Sequence, residues 1–179
     1  MLSVIVPVYN SEQSLGPLMQ RLSEVLPSLA DVYEVILVND GSRDKSWPVI
    51  SSLAEQYSFI CGINMMRNYG QHNALLCGIR QAKGDVIVTM DDDLQHPPEE
   101  IHKLLAKLTE GYDVVYGTPH KEGHGFFRDL ASQATKLALQ SAMGAETAKQ
   151  VSAFRAFRTI VRQSFATYHS PLVSIDVLL

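Results

Sequence analysis

The chain has 179 residues, 46% of them hydrophobic, and a formal net charge of −4 at pH 7. This length and apolar content suit one domain with a substantial core, and the mixed, evenly spread charges argue against a general nucleic-acid-binding protein. No run of 18 consecutive apolar residues occurs, so the sequence predicts no membrane span.

Cysteine usage and the two ends of the chain bear on its compartment. Cys61 and Cys77 lie in apolar surroundings without Cys-x-x-Cys spacing, so we expect reduced core thiols in a cytosolic protein. The apolar run at residues 2–8 is broken by Pro7, so no signal peptide is expected. An apolar run without a stop signal ends the chain at 173–179, and we expect the natural chain to be longer.

Short apolar runs alternate with amphipathic stretches along the first two thirds of the chain. The predicted strands are 2–8, 33–38, 59–66, 86–90 and 112–116, and the predicted helices are 12–29, 44–57, 71–82 and 97–109. This alternation predicts an α/β fold with a mainly parallel central sheet covered by helices on both faces.

The pattern changes after residue 116. We predict a mobile loop over 117–126, a helix over 126–143, a strand over 151–157 and a helix over 159–168. We expect one domain over 1–179, and the carboxyl ends of its parallel strands should gather the residues of the connecting loops at one edge. Those loops are 7–10, 39–42, 67–70 and 91–95.

Three consecutive carboxylates, Asp91, Asp92 and Asp93, follow the predicted fourth strand. They would repel one another unless solvent or a cation takes up the charge. Alternation along an extended backbone would put Asp91, Asp93 and Gln95 on one side, with Asp92 and Leu94 on the other. That oxygen set suits Mg²⁺ or Mn²⁺. The alternative is a solvated acidic loop that caps the next helix.

Two other strand ends combine turn residues with possible ligand groups. After the second strand, Gly41 permits a tight turn, and Asp40 either belongs to that turn or accepts hydrogen bonds from a nucleobase or ribose. After the third strand, Gly70 is again a turn residue, and Arg67 could pair with the acidic cluster or with a diphosphate. Local sequence leaves both interpretations open.

Several classes of nucleotide- or phosphate-binding protein lack support. No Gly-x-Gly-x-x-Gly follows the first strand and no Gly-Lys-Ser/Thr loop is present, which argues against a dinucleotide enzyme and a P-loop nucleotidase. A phospho-acceptor receiver domain needs carboxylates after its first strand, where this chain has Pro-Val-Tyr-Asn at 7–10.

Together these motifs give the chain a family resemblance. It resembles family 2 glycosyltransferases of the GT-A fold, and within them the sugar transferases that use dolichyl or undecaprenyl phosphate. The matching blocks, in chain order, are 3–10, 38–44, 67–71, 84–98, 111–117 and 152–155.

The resemblance implies a role for each matched position. Nucleotide-sugar binding would fall to Pro7, Tyr9, Asn10, Asp40, Arg67, Asp91 and Asp92. Mg²⁺ or Mn²⁺ would be held by Asp91, Asp93 and Gln95. The implied catalytic residues are Asp91, Asp93, Arg128 and Arg155, with the two arginines facing the acceptor's phosphate. For Arg128 a solvated helix position is the alternative.

Three features depart from the family pattern. Position 39 is Asn where relatives often carry an acid, which would alter base recognition. The loop after the fifth strand has Thr-Pro-His-Lys where relatives place an arginine, and Lys121 could substitute. Many relatives continue into amphipathic or transmembrane helices that this chain lacks.

The implied reaction is metal-dependent, inverting transfer of a sugar from a UDP-, GDP- or dTDP-sugar to a polyprenyl phosphate for cell-envelope glycan synthesis. A phosphomonoester, with a second pKa near ~6, arrives ionised and needs no general base.

The expected location is the cytoplasmic face of a membrane, reached through a missing C-terminal part. A homo-oligomer is one possible assembly, and nucleic acid is not expected as a partner. Alternatives are a soluble family 2 transferase with a sugar-hydroxyl acceptor and a nucleotide-sugar binding module without turnover.

Overall fold

The computed structural model describes residues 1–117, 153–165 and 174–179. The strands in these ranges are β1 (Leu2–Val8), β2 (Tyr33–Asn39), β3 (Ile60–Asn64), β4 (Val86–Thr89), β5 (Val114–Tyr116) and β6 (Arg155–Arg158). The helices are α1 (Leu15–Leu29), α2 (Ser46–Gln56), α3 (Gln71–Gln81), α4 (Ile101–Thr109) and α5 (Ile175–Leu178), with 3₁₀ turns at Pro98–Glu100 and Thr159–Phe165.

The described strands form one sheet in the order β3-β2-β1-β4-β6-β5. β3, β2, β1 and β4 are mutually parallel, and β6 runs antiparallel to both β4 and β5. The chain leaves and rejoins the sheet at neighbouring points, because the Gly117 amide after β5 donates to the Phe154 carbonyl before β6 at 2.8 Å. The predicted mainly parallel sheet is confirmed.

Successive side chains on the central strands pack alternately into two hydrophobic cores, one on each face of the sheet. Val4, Val6 and Val8 of β1 join the core formed with α1, α2 and α4, whereas Ile5 joins the core formed with α3 and α5. Every residue of β1 is buried, as expected for a strand covered on both faces. The predicted helical cover on both faces is confirmed.

Helices α1 and α2 begin later than their periodicity predicts, at Leu15 and Ser46. The cause is tertiary hydrogen bonding between the two preceding loops. The Glu12 amide donates to Asp44 Oδ2 at 3.1 Å, and Asp44 Oδ1 accepts from the Ser46 amide at 2.9 Å. These groups are held outside the helices, so each first turn is displaced.

The later elements differ more from the prediction. The predicted strand 151–157 is seen as Arg155–Arg158, and the predicted helix 159–168 as a 3₁₀ turn at Thr159–Phe165. Beyond Gly117, the predicted loop 117–126 and helix 126–143 lie outside the described residues. None of the helices in the described ranges combines the length and hydrophobicity that a membrane crossing requires.

The core-thiol prediction is wrong for Cys61, which is exposed. Cys61 lies on β3, at the edge of the described sheet, and pairs in register with Ile36 of β2. It therefore points to the face of the sheet that α3 covers over β1 and β2. Cys77 on α3 is half-buried, and this burial raises the pKa of its thiol.

Candidate functional site

A cleft lies at the carboxyl edge of the sheet, at the point where the strand order reverses direction. From β1 the sheet extends to β2 on one side and to β4 on the other, the arrangement that opens a crevice beyond the strand ends. The crevice has a volume of about 310 Å³. Its lining residues are Pro7, Val8, Tyr9, Asp40, Asn68, Gly70, Gln71, Asp91, Asp92 and Asp93. The predicted gathering of the strand-end loops is therefore observed.

The loops after β1 and β2 are hydrogen-bonded together. The Ser11 amide donates to Ser46 Oγ at 2.8 Å, and the Arg43 amide donates to Asn10 Oδ1 at 2.8 Å. Asn10 has a left-handed backbone, with φ 55°, and is absent from the cleft lining. Its side chain thus ties two loops together, and the predicted nucleotide contact of Asn10 stays a prediction.

Asp40 is almost fully buried, at 3% exposure, and braces the loop after β3. Its Oδ1 accepts the Tyr69 amide at 2.7 Å, and its Oδ2 accepts the Gly70 amide at 2.8 Å. Because Asp40 also lines the cleft, it builds the wall that a ligand would contact.

We expect Asp40→Asn to lower the free energy of unfolding by about 1–3 kcal/mol, since one carboxylate oxygen becomes an NH₂ group facing a backbone N–H. Urea unfolding measures the change. Asp31→Asn, an exposed acid with the same charge change, is the control and should alter stability by less than about 0.5 kcal/mol. Equal effects of the two substitutions would contradict the bracing role of Asp40.

Two polar residues near this wall are engaged away from the acids. The exposed Arg67 guanidinium lies 4.8 Å from the centre of the Tyr69 ring, and no ion pair between it and the acidic cluster is found within the described ranges. Asn39 Nδ2 donates to Asn64 Oδ1 at 2.7 Å across the β2–β3 pair, and Asn39 Oδ1 accepts the Ser42 backbone amide at 3.4 Å. Position 39 therefore links two strands and a turn.

The acidic segment does not continue the strand. β4 ends at Thr89, residues 92–96 form a bend, and Leu94 has a left-handed φ of 61°. The predicted alternation is therefore wrong: all three aspartates line the cleft, whereas Gln95 does not. The exposed Gln95 instead donates its backbone amide to Asp93 Oδ1 at 3.0 Å.

Burial, and then repulsion from neighbouring carboxylates, destabilises the charged forms of Asp91 and Asp92. Burial, followed by the charges of Asp93 and Asp92, raises the pKa of Asp91. Gln71 Nε2 donates to Asp91 Oδ1 at 2.6 Å. Burial also raises the pKa of Asp92, with Ser11 and Tyr9 acting in the opposite direction. Asp92 Oδ2 is buried and accepts no hydrogen bond from the described residues.

This donor set fits a hard divalent cation that is shared with a phosphate. Within the described ranges, no three His, Cys, Asp or Glu side chains are arranged to hold a metal unaided. Mg²⁺ and related ions are commonly bound by one or two carboxylates, with water and substrate phosphate oxygens completing the shell. The clustered carboxylates and the partnerless Asp92 Oδ2 match that chemistry.

Arg155 lies beside this cleft and not in its lining. Its side chain is only 2% exposed, Nε donates to Thr89 Oγ1 at 3.0 Å, and the guanidinium pairs with Asp176 and lies 5.9 Å from the Tyr116 ring centre. Protein groups thus engage Arg155, and its predicted contact with an acceptor phosphate stays a prediction. Arg128 and Lys121 lie outside the described residues.

Sequence reasoning missed two residues of this region. Gln71 belongs to a matched block, and its position directly after Gly70 was the available signal. Asp176 is a single acid within an apolar run, a pattern that often marks a buried charge with a distant partner.

The sheet and its cleft define the class: the fold is that of the GT-A glycosyltransferases. A mannosyltransferase from Pyrobaculum calidifontis, solved with GDP-mannose and Mn²⁺, has a TM-score of 0.66 at 20% identity, covering 92% of this chain and 46% of that one. Glucosyl-3-phosphoglycerate synthase from Mycobacterium tuberculosis, solved with Mn²⁺, UDP-glucose and phosphoglyceric acid, has a TM-score of 0.64 at 22% identity, covering 92% and 58%. The predicted GT-A fold is confirmed.

Within this class, the sequence model of Glycosyl transferase family 2 matches residues 3–168, and the chain belongs to that family. Undecaprenyl-phosphate 4-deoxy-4-formamido-L-arabinose transferase from Enterobacter sp. (strain 638) is 40% identical over 177 residues, which are 98% of this chain and 54% of that protein. The chain spans about half the length of the curated relatives it matches. The predicted resemblance to the polyprenyl-phosphate group of the family is confirmed.

Proposed function

We propose that this chain transfers a sugar from a nucleotide-diphosphate sugar to a polyprenyl phosphate, with inversion at the anomeric carbon, at the cytoplasmic face of a membrane in cell-envelope glycan synthesis. The observation that carries the proposal is the convergence of Asp91, Asp92 and Asp93 with the loops after β1 and β2 in one cleft. Relatives named as undecaprenyl-phosphate sugar transferases support the choice of acceptor.

The donor half, residues 1–116, would bind the nucleotide. Pro7 and Tyr9, a residue that is 45% exposed, form one side of the cleft, and the loop that Asp40 braces forms another. At about 310 Å³ the cleft is at the lower end of the range for small-molecule sites. We assign Pro7, Tyr9 and Asp40 to the nucleoside, with Asn10 and Arg67 at the rim.

Asp91 and Asp93 are the proposed ligands of a Mg²⁺ or Mn²⁺ ion beside the donor's diphosphate. The predicted third ligand, Gln95, does not line the cleft, and we propose that it supports Asp93 through its backbone amide. Such an ion, when bound, neutralises the charge that grows on the departing nucleoside diphosphate. Gln71 orients Asp91 through the hydrogen bond to Oδ1, and the Gln95 amide orients Asp93 in the same way. Both carboxylates are thus held before a ligand arrives, which lowers the cost of ordering them.

The acceptor half, residues 127–179, would bind the lipid phosphate. A phosphomonoester is already ionised at neutral pH, so the protein needs to position the attacking oxygen and does not need to remove a proton. Arg128 is the residue we propose for direct contact with that phosphate, through charge-assisted hydrogen bonds. The bond formed joins the phosphate oxygen to the anomeric carbon as the bond to the diphosphate breaks.

The proposal is tested with undecaprenyl phosphate in detergent and radiolabelled UDP-, GDP- and dTDP-sugars, with Mn²⁺ or EDTA. We expect lipid-extractable label from one nucleotide class, only with metal, and none when undecaprenol replaces its phosphate, because the alcohol is un-ionised at neutral pH. Label on a sugar hydroxyl instead would favour a soluble transferase, and nucleotide binding without turnover would favour a binding module.

A further inference from the structure

The last described residues, 174–179, contact α3 and β6, the two elements that hold groups next to the acidic segment. The Ile175 side chain is fully buried in the core beneath α3, and its backbone amide donates to His72 Nδ1 at 3.3 Å. The next residue, Asp176, forms an ion pair with Arg155. Two independent contacts therefore fix this segment.

Both contacts lead to the cleft carboxylates. His72 follows Gln71 in the first turn of α3, and Gln71 donates to Asp91. Arg155 donates to the Thr89 hydroxyl and pairs with Thr89 in the β4–β6 ladder, two residues before Asp91. The C-terminal segment therefore contacts His72, the neighbour of Gln71, and Arg155, the partner of Thr89. Gln71 and Thr89 are the residues that hold the start of the acidic bend.

The charge of Arg155 makes its pairing with Asp176 consequential. A guanidinium that is only 2% exposed needs a partner, because an uncompensated buried charge is costly. Arg155 lies opposite Thr89 in the β4–β6 ladder, two residues before Asp91, and its positive charge acts to lower the pKa of Asp91. Without the charge of Asp176, the buried guanidinium would need another carboxylate, and Asp91 follows Thr89 by only two residues.

We propose that Asp176 is a positioning residue: by engaging Arg155 it keeps the guanidinium on Thr89, fixes the start of the Asp91–Asp93 bend and leaves Asp91 free for a ligand. The benefit of this arrangement for metal binding rests on the proposed function, since Asp91 is a proposed metal ligand. The arrangement itself is testable without any nucleotide.

The first test is amide hydrogen exchange of Asp176→Asn, which removes the charge and keeps the shape. We expect the peptide over 89–96 to exchange on the order of tenfold faster than in the unaltered chain. Asp113→Asn is the matched control. This substitution removes the ion pair between Asp113 and Arg158 (3.8 Å). Arg158 lies on β6, as Arg155 does, but it is opposite Val86 at the beginning of β4 and thus far from the acidic bend.

Two results would overturn the proposal. One is unchanged exchange over 89–96 in Asp176→Asn. The other is a uniform increase throughout the protein together with a lower Tm, which would indicate general destabilisation and no specific positioning. A chain that binds no nucleotide, yet shows the local change, would remove the proposed function and leave the positioning role standing.

The second test is calorimetric titration of the accepted nucleoside diphosphate with Mn²⁺. We expect Asp176→Asn to raise Kd about tenfold, equivalent to about 1.4 kcal/mol, with unchanged stoichiometry. Asp176→Glu, which restores the charge, should recover most of the affinity. A lower stoichiometry at unchanged Kd would mean fewer folded molecules with an intact site, and it would contradict positioning.

Discussion

Replacing Asp91 and Asp93 together by asparagine is expected to reduce sugar transfer by roughly 100- to 1,000-fold, the range seen when one group that stabilises transition-state charge is lost. Asparagine keeps the size and one oxygen of each side chain but removes both negative charges. The charge on the departing diphosphate would then lack its counter-ion. Transfer to undecaprenyl phosphate and calorimetric titration of the nucleotide with and without Mn²⁺ measure the loss.

The same double substitution should leave the fold at least as stable as before. Burial, followed by repulsion from Asp93 and Asp92, raises the pKa of Asp91, so removing two charges relieves an unfavourable interaction when no metal is present. Thermal unfolding in EDTA should show an equal or higher Tm. Asp31→Asn with Glu55→Gln, two exposed acids outside the cleft lining, is the charge-matched control and should keep full activity. Activity within threefold of the unaltered chain in the Asp91/Asp93 variant would contradict the assigned metal site.

Gly41→Ala is expected to destabilise the protein by about 3 kcal/mol and to weaken nucleotide binding at least about tenfold. Gly41 has φ 65°, and a Cβ at this position would lie 2.5 Å from both Arg67 C and Asn68 N. These are backbone atoms, so the whole loop would have to move. That movement would break the hydrogen bonds from the Tyr69 and Gly70 amides to Asp40 and open one wall of the cleft.

Gly111→Ala separates this clash from backbone strain. Gly111 also has a positive φ, 103°, but no heavy atom lies within 4 Å of the position of its Cβ. We expect it to cost about 1–2 kcal/mol, from the left-handed conformation alone, and to leave nucleotide binding unchanged. Urea unfolding and calorimetry of both variants give the comparison. If the two substitutions cost the same, the close approach of the loops at Gly41 is wrong.

The order of the first nine elements could be predicted from hydrophobic periodicity, because their burial is set by local pattern. Their bounds could not be predicted in the same way. The start of α1 depends on a hydrogen bond between Glu12 and Asp44, which are distant in sequence, and the start of α2 on a local bond between Asp44 and Ser46 that competes with the helix. The short helix α5 was not predicted, because four residues give too little periodicity to separate a helix from an apolar run.

The candidate site was predicted in its location and only partly in its geometry. The rule that ligands bind beyond the carboxyl ends of parallel strands brought Pro7, Tyr9, Asp40 and the acids together. The bend that turns all three aspartates into the cleft depends on a positive φ at Leu94, which leucine rarely adopts and no sequence pattern signals. The Arg155–Asp176 pair is a tertiary contact between residues without a shared motif.

The hydrogen bond between the Gly117 amide and the Phe154 carbonyl has an evolutionary consequence. Because the two ends of the intervening segment meet at adjacent strands, a relative could replace that segment by one of another length while every strand keeps its neighbours. For a flexible connection, doubling the length costs only about 0.6 kcal/mol of closure entropy. The length of the segment between β5 and β6 can therefore vary among relatives while the order of the six strands is kept.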